Sequence, residues 1–193
     1  MSEGRAKHRG RGLDPRHGSM AVHFSTGKDD WATPDDFFRL VNDHFHFTLD
    51  AAAAPDTAKV ARYYTVEDDG LAQSWAGERV WVNPPYGHGV TGEWVRKGYL
   101  EAQAGALVVL LVPARPGAEW FQDYAALGEV FLLRGRLTFK GAANSAPFDS
   151  ALVVFWPPFS PHRVEGRITC WDWQAAYFER YGEWPGQGER SVS

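Results

Sequence analysis

The chain has one cysteine, two methionines, no sustained hydrophobic segment and no excess of positive charge. Cys170 alone excludes an internal disulfide and leaves a cysteine-built zinc site without ligands. A reducing cytoplasm is the expected setting. The most continuous apolar run is Ala106 to Val112, far short of the ~20 residues a helix needs to span a bilayer. No membrane partner is therefore expected, and the N-terminus lacks the apolar core of a secretory signal. Lys and Arg number 20 against 24 Asp and Glu, for a net charge of −4. That balance argues against a protein that coats nucleic acid non-specifically. It leaves room for a local basic patch, because only charge on the docking face meets phosphate.

What is present suits a single soluble domain with its own core: 193 residues, 44% hydrophobic and 23% charged. Nine tryptophans are expected mostly in that core, with a few left as stacking surfaces. Residues 1–22 carry Arg5, Lys7, His8, Arg9, Arg11, Arg16 and His17 among glycines and almost nothing apolar. They read as a disordered basic tail, with phosphate contact or a true start at Met20 as alternatives. Residues 23–193 read as one domain.

Within it, Thr33-Pro34-Asp35-Asp36 reads as a helix start with Thr33 as N-cap and Pro34 first in the helix. Strands are expected at Phe45–Leu49, Arg62–Thr65, Val80–Val82, Ala106–Val112, Glu129–Leu133 and Ala151–Phe155. Helices are expected at Thr91–Gln103, Ala118–Leu127 and Trp171–Tyr181, with a short helical turn over Asp56–Val60. Strands and helices alternate until two strands arrive without a helix between them. This predicts an α/β fold whose mostly parallel sheet takes one antiparallel strand from a C-terminal hairpin.

The most informative residues are Asn83-Pro84-Pro85-Tyr86, set directly after Val80-Trp81-Val82. Asn83 offers a side-chain carbonyl oxygen and Pro84 a main-chain one. The prolines fix φ and remove N–H donors, so the turn presents acceptors. Tyr86 supplies an aromatic face. Acceptors beside an aromatic face suit the holding of a planar amine whose lone pair is to be alkylated. The competing reading is an ordinary proline-rich surface turn. His44 and His46 are spaced for chelation only on a strand, and no metal site is expected from them.

Other segments occur in a telling order. They are Trp31-Ala32-Thr33-Pro34, Thr48-Leu49-Asp50-Ala51-Ala52-Ala53, Ala61-Arg62-Tyr63-Tyr64, Asp68-Asp69-Gly70-Leu71-Ala72 and Trp81 to Gly87, followed by Gly135-Arg136-Leu137 and Ser145-Ala146-Pro147-Phe148. Over residues 29–157 they resemble the phage-type DNA N-6-adenine-methyltransferase family. The resemblance implies a Rossmann-like fold and S-adenosylmethionine as methyl donor. It further implies transfer to adenine N6 in DNA, base flipping and a phage or prophage origin. It assigns catalysis to Asn83, Pro84, Pro85 and Tyr86. It assigns the cofactor to Trp31, Thr33, Pro34, Asp50, Ala51, Ala52, Asp68, Asp69 and Leu71, with Glu67 a weak candidate for the ribose. Tyr86 and Phe148 are expected to sandwich the target base, and Arg134, Arg136 and Lys140 to meet phosphates. Arg115 is a further candidate for phosphate contact.

The stretch Asp50 to Ala54 departs from many methyltransferases in having no glycine. A chain of this size leaves no room for a separate target-recognition domain, so a short recognition sequence is expected. Cytosine N4, RNA adenine or a protein glutamine are alternative substrates. A silent DNA-binding module of the same fold is the alternative outside enzymes.

Overall fold

The computed structural model describes residues 31–87 and 89–187; the basic segment 1–22 and His88 lie outside the described residues. In chain order the elements are α1 (Asp35–Phe45), β1 (Leu49–Asp50), β2 (Arg79–Val82), α2 (Val90–Gln103), β3 (Leu107–Pro113), α3 (Glu119–Asp123), β4 (Glu129–Leu133), β5 (Ser150–Phe155), β6 (Arg167–Trp171) and α4 (Trp173–Tyr181). A 3-10 turn at Ala125–Leu127 follows α3.

The strands form one sheet in the order β1-β2-β3-β5-β4-β6. β1, β2 and β3 run parallel; β5 is antiparallel to both its neighbours, and β4 and β6 are parallel to each other. β3 is buried along its whole length. Its side chains alternate, with Val108, Leu110 and Val112 in one core and Leu107, Val109 and Leu111 in the other. The first core packs against Trp94, Val95 and Ala102 of α2 and Phe121 of α3. The second packs against Phe37, Phe38 and Val41 of α1 and Trp173 of α4. Helices on both faces explain why β3 reads as an unbroken apolar run.

The mixed sheet and its single antiparallel strand follow the expectation, but β5 lies inside the sheet, between β3 and β4. Several local expectations fail for identifiable reasons. α1 continues to Phe45 and ends where His46 turns left-handed at φ 52, its N–H bonding the Asn42 carbonyl. The Asn42 side chain then accepts from the Phe47 N–H, so the expected strand at Phe45–Leu49 shrinks to Leu49–Asp50. Pro34, not Thr33, is the N-cap, with an extended ψ of 136 and no side-chain cap. The Asp56–Val60 segment is a turn, and Arg62–Thr65 reduces to one bridge, Asp50 with Tyr63. Tyr124, at φ −130, splits the helix expected over Ala118–Leu127. Trp171 closes β6, a strand the sequence reading missed, and α4 begins at Trp173 with Asp172 as its N-cap, accepting from the Ala175 N–H.

The glycine absent after β1 is supplied from elsewhere. Gly70 packs so closely on the loop that a Cβ there would sit 2.2 Å from the Ala51 carbonyl oxygen and 3.1 Å from the Trp94 ring. Trp75 locks this loop, its indole N–H donating to the Gly70 carbonyl at 3.0 Å. Replacing Gly70 by alanine forces two backbone segments apart and is expected to destabilise the protein by about 1–3 kcal/mol. Urea unfolding followed by circular dichroism measures this; unchanged stability refutes the close approach.

Candidate active site

Asp50 stands opposite Trp81 in the parallel register, and the Ala51 N–H donates to the Trp81 carbonyl at 3.0 Å. The first strand and the second therefore run out together, and Asp50 and Asn83 emerge at the same edge of the sheet. In open α/β sheets that carboxyl edge is where ligands bind.

Asn83 is half-buried and its amide is anchored at both ends. Its Nδ2 donates to the Trp31 carbonyl, and its Oδ1 accepts from the Tyr86 hydroxyl at 2.6 Å. Tyr86 is only 8% exposed, and burial pushes its phenol well above the ordinary value, so it stays a donor. The ring contacts Phe139 and Phe148 edge-on, at centroid distances of 6.0 and 5.4 Å. Burial leaves little of the Tyr86 ring accessible for the stacking role expected of it. Phe148 and Trp31, both half-buried, meet edge-on at 5.4 Å beside it.

In the proline pair the two carbonyls differ. Thr91, buried at the start of α2, donates its hydroxyl to the Pro85 carbonyl at 3.2 Å. Among the described residues nothing donates to the Pro84 carbonyl. The turn can therefore offer two acceptors to one amine: the second lone pair of Asn83 Oδ1 and the Pro84 oxygen.

Asp50 is 3% exposed. Its carboxylate accepts from the backbone N–H groups of Ala52 (3.3 Å) and Lys59 (3.1 Å). Burial outweighs these bonds and raises its pKa from 3.8 to about 6. The Lys59 ammonium turns away to Asp35 Oδ1 at 2.5 Å, and Lys140 reaches Asp35 Oδ2 at 2.8 Å. Lys140 first and Lys59 second hold the Asp35 carboxyl below its ordinary range. Thr33 sits just before α1, 1% exposed, with a hydroxyl that has no hydrogen-bond partner among the described residues.

The other expected site residues are less gathered. Ala51 is buried and Ala52 half-buried behind Asp50. Asp68 is exposed and accepts from the Thr65 N–H and hydroxyl, which lower its pKa and make it a turn former. Asp69 is exposed with a left-handed φ of 52, and Leu71 packs on the core edge. Arg134 pairs with Asp172 and Arg136 with Asp149, both exposed, at the same sheet edge as Asn83. Such pairs are worth about 0–1 kcal/mol, so phosphate can compete for them. Sequence reasoning missed Lys59, Thr91 and Phe139. Lys59 and Phe139 act through contacts that include residues distant in sequence, Asp35 and Tyr86, whereas Thr91 bonds Pro85 six residues back and had a local signal in its place at the helix start. Among the described residues no three His, Cys, Asp or Glu side chains converge on a metal position.

The family model for DNA N-6-adenine-methyltransferase (Dam) matches residues 22–171. A DNA N-6-adenine-methyltransferase of Haemophilus phage HP1 (strain HP1c1) is 38% identical over 144 residues, 70% of this chain and 82% of the relative. A DNA N-6-adenine-methyltransferase of Escherichia phage T1 is 26% identical over 98 residues, 50% of this chain and 40% of the relative.

The Asp50 carboxyl yields a pH prediction. Its folded pKa of about 6 exceeds the 3.8 of the unfolded chain, so the native state holds the proton more tightly. Its contribution to stability is complete below pH 3.8 and is lost as pH rises through about 6, by roughly 3 kcal/mol at most. Asp50→Asn removes that dependence. Urea unfolding of the two proteins from pH 4 to 7 should show the variant gaining on the parent; parallel curves refute the buried titration.

Proposed function

This chain belongs to the DNA N-6-adenine-methyltransferase family and methylates adenine N6 in DNA, and we propose how its own residues carry the transfer. The sheet is read as a Rossmann-like methyltransferase sheet, supported by three parallel strands that deliver Asp50 and Asn83 to one edge. When bound, S-adenosylmethionine supplies a methyl group on a sulfonium, an electrophile that reacts by direct displacement. Two features of this edge fit its amino-acid end. Asp50 is a buried carboxylate whose cationic neighbour, Lys59, sends its ammonium to Asp35, which suits it to an ammonium, and Thr33 offers a buried hydroxyl unpaired among the described residues.

The observation that carries the reading is the doubly anchored Asn83. An adenine N6 amine is weakly nucleophilic because its lone pair is shared with the ring. Asn83 Oδ1 and the Pro84 carbonyl accept its two N–H bonds and favour a pyramidal nitrogen. These oxygens also stabilise the positive charge that grows on nitrogen during transfer. Tyr86 keeps the Asn83 amide oriented by its hydroxyl. The base-stacking role expected of Tyr86 passes to Phe148 and Trp31, which flank the turn. The base must leave the duplex to reach them. Arg134, Arg136 and Lys140 lie at the same edge, suited to phosphates once their acidic partners yield.

Transfer of labelled methyl from S-adenosylmethionine to unmethylated duplex DNA, with the modified adenines mapped by sequencing, tests the assignment. Asn83→Ala is expected to abolish transfer while adenosylhomocysteine still binds. Tyr86→Phe keeps the ring and removes only the hydroxyl, and should lower kcat roughly tenfold with little change in KM. Full activity of Asn83→Ala would sink the acceptor role. A bound ammonium should also draw the Asp50 pKa down from about 6, so adenosylhomocysteine binding near pH 6 releases up to about half a proton. Calorimetry in buffers of different ionisation enthalpy reads this directly; equal heats argue against Asp50 as the ammonium ligand.

A further inference from the structure

A cavity lies on the β5-β4-β6 half of the sheet, away from the β1-β2 half that leads into Asn83. It is about 360 Å³ in volume, between α1 and the β4–β6 side of the sheet. Phe45 closes α1, Glu129 opens β4 and Trp171 closes β6, so the cavity runs along the strands from their start toward their carboxyl ends. Its walls are aromatic: Phe45, Phe131, Trp156 and Trp171, with His44 at one side. Phe45 and Trp156 meet at 5.8 Å between centroids, and Phe131 and Trp171 at 6.0 Å.

One carboxylate enters this lining. Glu129 is 9% exposed, on the same face of β4 as Phe131. Its Oε2 accepts a long bond of 3.3 Å from the Trp156 indole N–H. Arg167, its register partner on β6, is exposed, and among the described residues it forms no ion pair with Glu129. A carboxylate sunk among aromatic rings with only one weak neutral donor lacks a countercharge. Ring faces attract cations through their quadrupole, and together with a carboxylate they discriminate strongly for an organic cation over a neutral body. The volume is in the range of small-molecule sites.

We propose that this cavity binds a small organic ammonium ion, its cationic head against Glu129 and the Trp156 ring, its apolar body along the aliphatic side chains of α1 and β5. Its lining shares no residue with those given roles in methyl transfer, and the proposal does not rest on that reading.

The test titrates the whole chain with benzyltrimethylammonium, following tryptophan fluorescence and heat. The comparator is 2,2-dimethyl-3-phenylpropan-1-ol, close in shape and uncharged. The cation is expected to bind saturably at one site, roughly tenfold tighter than the alcohol. Glu129→Gln keeps the volume and an acceptor for Trp156, and should remove most of that preference. Leu40→Trp fills the cavity from α1 and should abolish binding while methyl transfer persists, which holds even if the Glu129 variant folds poorly. Equal affinity for cation and alcohol, an undiminished preference in Glu129→Gln, or no saturable binding at millimolar concentration would overturn the proposal.

Discussion

In the proposed transfer the Asn83 amide presents oxygen, not nitrogen, to the incoming amine, and a free side-chain amide would present either. The Trp31 carbonyl settles this by claiming Nδ2, across 52 residues of sequence. That carbonyl is itself held in place by what surrounds Trp31. The Trp31 ring packs on Phe139 and Phe148, and the Lys140 N–H donates to the Ala32 carbonyl at 2.9 Å. The excursion between β4 and β5 is therefore part of the catalytic geometry although it contributes no acceptor. The prolines act in the same direction, since Pro84 and Pro85 bring no N–H that could compete for the oxygen acceptors.

Charge around the edge is divided between two acids with opposite fates. Asp35 is exposed and takes both Lys59 and Lys140, so it serves as a latch that draws the Lys59 turn and the Lys140 segment to the start of α1. Asp50 is buried and receives only backbone N–H groups, though one of them is from Lys59 itself. The same lysine thus steadies Asp50 with its main chain and withholds its ammonium. A buried acid left in that state resists ionisation, and a cation arriving from outside gains what Lys59 does not give. The distant Glu129 is also buried, among aromatic rings, and accepts from an indole N–H.

Much of the sheet was legible because its signals are local. The all-apolar β3 announced two covered faces, and Val80 to Val82 led into the turn as a strand should. What failed was decided by partners far along the chain. Nothing near Phe47 says that Asn42 will take its N–H and end the strand pattern before it starts. β6 was unreadable because Ile168 and Cys170 are exposed, so its burial pattern lacks the clean apolar face that marks a strand. At the site, Asn83 and Asp50 could be found from their positions after apolar strands. The burial of Tyr86 could not, because it depends on Phe139 and Phe148 arriving from the excursion after β4.

The missing glycine after β1 shows how a fold keeps a requirement while moving the residue that meets it. Close approach at Ala51 needs a residue without a Cβ on one side of the contact, and it does not matter which strand of chain supplies it. Here Asp50 to Ala54 keep alanine, whose backbone is stiffer than glycine's, and Gly70 gives the space. The consequence is mechanical. The loop carrying Asp68 and Asp69 is now bolted to the one carrying Asp50, through Ala51, Trp94 and the Trp75 bond to the Gly70 carbonyl. A glycine-rich first loop would adapt to its ligand by itself; this pair can move only together. A ligand held by Asp50 therefore finds its other wall, from Asp68 to Leu71, already set by packing rather than by its own binding energy.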